Sequence, residues 1–314
     1  MSDLMFSKKR YASVSRLTEH VIDFVHVPAG TFHMGSDKAY PEEAPRHERS
    51  VDQFSIGRAP VTNLEFGRFV VATGYKTVAE QQLSDDVARG LSVELRQPGS
   101  VVFAPPSFGS EVDEGEWWQF VPGACWHAPH GRESSIADKP NHPVVHVCLV
   151  DALAYCEWAG TRLPSEIEWE FAARSARDSD TAFSWGTELT PGGRIMANHW
   201  RGEFPSRPDP DNIGSTSPVG SFPANDLGLV DMIGNVWEWT STEFVEGHVT
   251  NSCCGGASKA EDPFEQGGRM MVLKGGSHLC AVNYCSRYRP TARIPQPAHF
   301  ATSHIGFRVV ADAE

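Results

Sequence analysis

The sequence has no apolar run of the roughly 18 residues that a membrane-crossing helix needs. Its first twenty residues lack the apolar centre of a secretory signal, so a cytoplasmic location is expected. Positive charge is scarce: 27 Lys and Arg face 40 Asp and Glu, a net charge of −13. That excludes broad, sequence-independent nucleic-acid binding, which relies on clustered cations to displace counterions. Internal repeats and heptads are absent. So are H-E-x-x-H, G-x-S-x-G and P-loop motifs, which leaves zinc-protease, serine-hydrolase and nucleotide-dependent readings without support. What is present is 28 Gly, 22 Pro, 9 Trp and 17 Phe in 314 residues. That mixture describes many loops pinned by large aromatic groups rather than a helix bundle. At 40% hydrophobic residues the chain is apolar enough to build a large core.

Helical periodicity is limited to three places. Thr62-Asn63-Leu64-Glu65 has capping-box spacing, followed by Phe66, Phe69 and Val70, with Gly74 placed to end the helix. A second helix is expected from an N-cap at Asp151 to Gly160. A third opens with Pro164-Ser165-Glu166-Ile167-Glu168 and runs to about Ala173. Phe24–Val27 and Thr31–Met34 read as two strands of one hairpin. Segments 84–140 and 240–268 show no period, and from 180 onward short apolar runs alternate with Gly, Pro, Asn and Asp. The expected class is α+β, one domain over 22–314 with little regular secondary structure, after a poorly ordered segment 1–21. Loops this long inside a domain are commonly functional or ligand-braced.

The seven cysteines are Cys125, Cys148, Cys156, Cys253, Cys254, Cys280 and Cys285. Cys280-Ala-Val-Asn-Tyr-Cys285 could direct two thiols at one centre, and thiolates suit Cu(I), zinc or iron–sulfur clusters. A closed zinc site needs four ligands, and the adjacent Cys253-Cys254 pair chelates poorly. A two-thiolate site would suit Cu(I); a disulfide, or two unrelated buried cysteines, is the alternative. Asp231 and Glu238 bracket the Gly234-Asn235 turn, and carboxylates with turn carbonyls are what calcium needs; a turn with two solvated acids is the alternative. Asn198 with Asp211 is a weaker oxygen cluster. His142-Pro-Val-Val-His146 favours a strand, on which the two rings would stand roughly 13 Å apart, too far to share a metal.

In this order the segments resemble the formylglycine-generating enzyme, or sulfatase-modifying factor, family. The residues that carry the resemblance are Val27-Pro-Ala-Gly-Thr-Phe-His-Met-Gly35, Pro60-Val-Thr-Asn63 and Trp158-Ala-Gly-Thr-Arg-Leu-Pro-Ser-Glu-Ile-Glu-Trp-Glu170. They continue in Gly234-Asn-Val-Trp-Glu-Trp239, Ile305-Gly-Phe-Arg308 and Gly275-Gly-Ser-His-Leu-Cys280-Ala-Val-Asn-Tyr-Cys285-Ser-Arg-Tyr-Arg289. The resemblance implies a C-type-lectin-like fold. It implies a copper-dependent oxidase that converts the cysteine of a Cys-x-Pro-x-Arg sequence in an unfolded sulfatase to Cα-formylglycine, with O2 and a thiol reductant. It implies Cys280 and Cys285 as the Cu(I) ligands, Ser277 and Tyr284 beside the oxygen site, and Trp237 in the substrate groove. His304 stands where relatives carry Asn and would hold the substrate backbone or alter peptide preference. Two structural calcium sites are implied as well. One uses Asp231 and Glu238 side chains with Gly234 and Val236 carbonyls; the other uses Asn198 and Asp211 with carbonyls of His199 and Ile213. Two other readings of the scaffold are a nonheme iron sulfoxide synthase and a non-catalytic, calcium-braced binding module. The first would need an H-x3-H-x-E motif, and His142-x3-His146 is followed by Cys148 where that motif has Glu. The second has no use for Cys280 and Cys285.

Overall fold

The computed structural model describes residues 22–83, 92–107, 109, 113, 115–248 and 269–312; the N-terminal segment 1–21 and Cys253-Cys254 lie outside the described residues. In chain order the elements are β1 (Phe24–Val27), β2 (Gly30–Met34), β3 (His47–Val51), β4 (Phe54–Gly57) and α1 (Asn63–Thr73). Then come β5 (Gly99–Phe103), β6 (Trp118–Pro122), α2 (Leu149–Ala159), α3 (Glu166–Ala173), β7 (Gly202–Glu203) and β8 (Arg207–Pro208). The chain closes with β9 (Trp237–Glu243), β10 (Met270–Lys274), β11 (Arg293–Pro297), β12 (Ile305–Gly306) and β13 (Val310–Asp312). This is the expected α+β architecture, with short strands and long connections. No helix among the described residues is long and apolar enough to cross a membrane.

Three expectations need correction. β1 and β2 do not form a hairpin: β1 pairs antiparallel with β4, which also takes β13, while β2 pairs with β3. Alternation marks a strand but does not say which strand it joins. The second helix starts at Leu149 with Cys148 as N-cap, and Asp151 is its N3 residue, whose carboxylate accepts from the Cys148 N–H at 2.8 Å. Asp151 therefore supplies the carboxylate half of a capping box. The His142–His146 stretch forms no strand; His146 has φ of 60°, a left-handed conformation.

The first and third helices start where their capping boxes place them. Thr62 Oγ1 accepts from the Glu65 N–H, Ser165 Oγ accepts from the Glu168 N–H, and both glutamates reach back to the N-cap amide. Phe66 and Phe69 of α1 pack with Tyr155 of α2 against Trp239 and Leu273 of the central sheet. Trp169 and Phe171 of α3 pack against Val27, Phe54 and Ile56. Burying each such side chain contributes on the order of 2 kcal/mol.

The central sheet runs β11-β10-β9-β12. Lys274 pairs with Arg293, Lys274 also with Glu238, and Ile305 with Trp237. One end of the sheet therefore gathers the start of β9, the end of β10, the start of β11 and the start of β12. The connection 275–292 leaves and re-enters at that end. Beneath it lies a buried charge network. Lys274 Nζ donates to Glu170 at 3.0 Å, Arg293 Nε to Glu166 at 2.8 Å, and Arg308 clasps Glu238 through Nε and Nη2 at 2.6 and 2.7 Å. Buried charges are tolerated when each is paired and hydrogen-bonded, as these are.

Candidate active site

The connection 275–292 folds back on itself. Gly276 has φ of 74°, and a Cβ there would meet the Arg287 carbonyl at 2.7 Å. Glycine thus lets the outgoing limb touch the returning one. Cys280 and Cys285 lie between these limbs, and both are free thiols. The expected alternatives of a disulfide or unrelated cysteines are not what forms. Cys280 is 1% exposed, its Sγ accepts from the Ser277 N–H at 3.5 Å, and Cys285 is half-buried.

The Cys280 and Cys285 sulfurs are hydrogen-bonded to each other. That bond raises Cys280 well above the usual thiol range, with burial adding to the effect. The same bond lowers Cys285 against the cost of burial, helped by backbone N–H donors and by Arg287. The pair therefore holds one negative charge more readily than two separate buried thiols.

A cavity of about 470 Å³ opens over the pair. Ser277, Tyr284, Trp237 and His304 all line it together with Cys280 and Cys285. The six side chains expected as catalytic or substrate-binding therefore line one cavity. Trp237 begins β9, and its N–H donates to the His304 carbonyl at 2.9 Å. Ser277 is fully buried. The Tyr284 ring stacks on Phe204 at 4.7 Å and meets Trp117 edge-on at 5.6 Å. His304 lies against Trp118 at 4.8 Å, with Nδ1 2.7 Å from Thr302 Oγ1. Burial, reinforced by His278 and His146, pushes His304 down to about 3, so its ring is neutral.

Several lining residues escaped the sequence reading. Trp117, Trp118 and Phe204 build an aromatic wall from segments with no periodicity, and the adjacency of Trp117 and Trp118 was the one available signal. Arg287 belongs to the cysteine segment but received no role. Phe300 and Thr302 also line the cavity.

The calcium ligands are arranged differently. Asp231 and Glu238 are both buried, so two solvated acids are ruled out. Glu238 accepts from Arg308 and from Trp169 Nε1 at 2.7 Å, while Asp231 accepts from the Gly220 N–H at 2.7 Å. Burial pushes the Asp231 carboxyl up to about 6, the Glu238 charge adding to this against the Gly220 amide and Arg308. Two buried acids thus share one guanidinium, and the surplus negative charge is of the kind a hard cation suits. The other set is not assembled. Asp211 is exposed and paired with Arg201 at 2.7 Å, and Ile213 is 44% exposed. Asn198 is buried, donating to the Ser215 carbonyl, and His199 lies against Tyr288. His142 and His146 do not converge: His142 meets Thr216, whereas His146 meets Ser100 and the Pro129 carbonyl.

A fold of few helices and short strands, with a dithiol under an aromatic cavity, defines a class that comparison identifies. Residues 10–313 match the sulfatase-modifying factor enzyme 1-like domain, and the chain belongs to that family. It is 51% identical to the formylglycine-generating enzyme of Mycobacterium tuberculosis over 92% of this chain and 98% of that one. It is 42% identical to the formylglycine-generating enzyme of Thermomonospora curvata over 92% and 93%. Among solved structures, PvdO from Pseudomonas aeruginosa superposes with a TM-score of 0.63 at 23% identity, covering 92% of this chain and 94% of that one, which shows the shared fold.

Proposed function

We propose that this protein is a formylglycine-generating oxidase that converts a sulfatase cysteine to Cα-formylglycine. One observation carries the reading: the free Cys280–Cys285 pair lies at the foot of an aromatic cavity. The two thiols are a soft donor set suited to Cu(I). Copper held there would supply the O2-activating chemistry that no side chain of this chain provides.

The protein's own residues do the rest. The Ser277 N–H fixes the Cys280 sulfur, and the Cys280 thiol favours thiolate at Cys285. Trp237, Trp118 and Tyr284 offer apolar faces to an extended peptide and exclude water from the reacting carbon. The neutral His304 ring, tilted against Trp118, can hydrogen-bond a peptide amide without adding charge. The substrate is a Cys-x-Pro-x-Arg segment of an unfolded sulfatase, O2 is the oxidant and a thiol the reductant. The five described cysteines are all free, which suits a reducing cytoplasm. Calcium would brace the Asp231–Glu238 turn; the Asn198 set would need Arg201 to release Asp211.

The test is mass spectrometry of a Cys-x-Pro-x-Arg peptide incubated with protein, Cu(I), thiol and air. Wild type is expected to produce the aldehyde, and Cys280→Ser and Cys285→Ser to produce none. Aldehyde formation by a copper-loaded Cys280→Ser protein would refute the dithiol assignment.

A further inference from the structure

The formal charge of the cavity resides on one side chain. Among its described lining residues Arg287 is the sole Lys or Arg, and no carboxylate lines it. Arg287 is anchored twice over. Its N–H donates to the Cys285 carbonyl at 2.8 Å, which ties it to the loop that carries the thiol. Its guanidinium donates to Glu42 Oε1 at 2.7 and 3.3 Å and lies 4.0 Å from the centre of the Tyr40 ring. Glu42 and Tyr40 do not line the cavity, so the cation reaches it while its counter-ion stays outside.

Two thiolates around a monovalent cation leave a net charge of −1, and a substrate thiolate would make it −2. Walls of Trp, Phe and Tyr solvate such a surplus poorly. We propose that Arg287 is the electrostatic positioning residue of this site, balancing the anionic thiolate centre and drawing the substrate thiolate to it. The inference rests on the copper–dithiolate reading. It differs from a merely structural clamp, because a clamp needs Arg287 and Glu42 equally, whereas a charge-balancing cation needs only Arg287.

The difference is measurable without turnover. Cu(I) affinity of the metal-free full chain is determined by competition with a chromogenic chelator for wild type, Arg287→Gln, Arg287→Lys and Glu42→Gln, each checked for folding by circular dichroism. Arg287→Gln is expected to weaken Cu(I) binding about tenfold or more. Arg287→Lys keeps the charge and should restore most of the affinity. Glu42→Gln removes the counter-ion and should leave affinity unchanged or tighter. Equal weakening by Arg287→Gln and Glu42→Gln would assign a structural clamp and overturn the proposal, as would unaltered affinity in Arg287→Gln. A wild type that binds no Cu(I) would overturn the dithiolate reading and this inference with it.

Discussion

Cys280 and Cys285 share a chemistry but not an environment. Cys280 sits at the floor of the cavity, 1% exposed, and its bond to Cys285 together with burial holds it above the usual thiol range. Cys285 is half-buried and held below the usual thiol range by the Cys280 thiol, against its burial. The thiolate is the nucleophile in alkylation, and access sets the remainder of the rate. Metal-free protein treated with a small excess of iodoacetamide is therefore expected to be modified at Cys285 well before Cys280, read by peptide mapping. Faster labelling of Cys280 would contradict this ordering of the two thiols. At this scale the sequence was informative where a motif kept its residues close together, as in Gly275–Arg289. It was uninformative about Trp117, Trp118 and Phe204, which reach the cavity from segments whose order depends on tertiary packing. Arg287 stood within the motif, but its role depends on Tyr40 and Glu42, more than 200 positions away along the chain.

Elements whose signals are local were readable, and those whose signals are distant were not. The capping boxes of α1 and α3 lie within four residues and placed both helix starts. The start of α2 was displaced because Asp151 acts as the N3 partner of Cys148. Strand pairing was hidden, since β4 joins β1 and β13 from opposite ends of the chain. β5 and β6 pair within a stretch where no period is visible. The turn between Asp231 and β9 is an irregular element that calcium would brace. A cation bound only to the folded state stabilises by mass action, about 2.7 kcal/mol at one hundred times its Kd. Dialysis of the protein against EGTA is therefore expected to lower its Tm, and added Ca2+ to restore it, while Asp231→Ala responds to neither. A wild-type Tm indifferent to chelation would remove calcium from this turn.

For the molecule as a whole, the charge network beneath the sheet and the buried histidines set the response to acid, in two successive windows. Glu170 is fully buried; burial alone would raise it, but Lys274 and Arg174 outweigh that and hold it below the ordinary glutamate value. A depressed carboxylate contributes stability above its unfolded value, about 4.3, and that stability is lost as pH falls through the folded value. His146 acts earlier. Burial pushes it down to about 3, against the Pro129 carbonyl, so the folded state keeps it neutral. Its unfolded value is about 6.5, so between 6.5 and 3 the unfolded chain binds the extra proton and stability falls with pH. The loss approaches about 1.4 kcal/mol per pH unit for this group. Urea unfolding at a series of pH values should therefore show stability falling from just below pH 6.5, ahead of the Glu170 window, with the raised Asp231 carboxyl at about 6 opposing part of that loss. His146→Asn, a residue that tolerates the left-handed φ of 60° at this position, should be less stable at neutral pH but show a shallower slope between pH 6.5 and 4.5. A slope identical to that of wild type would mean that His146 binds its proton in the folded state.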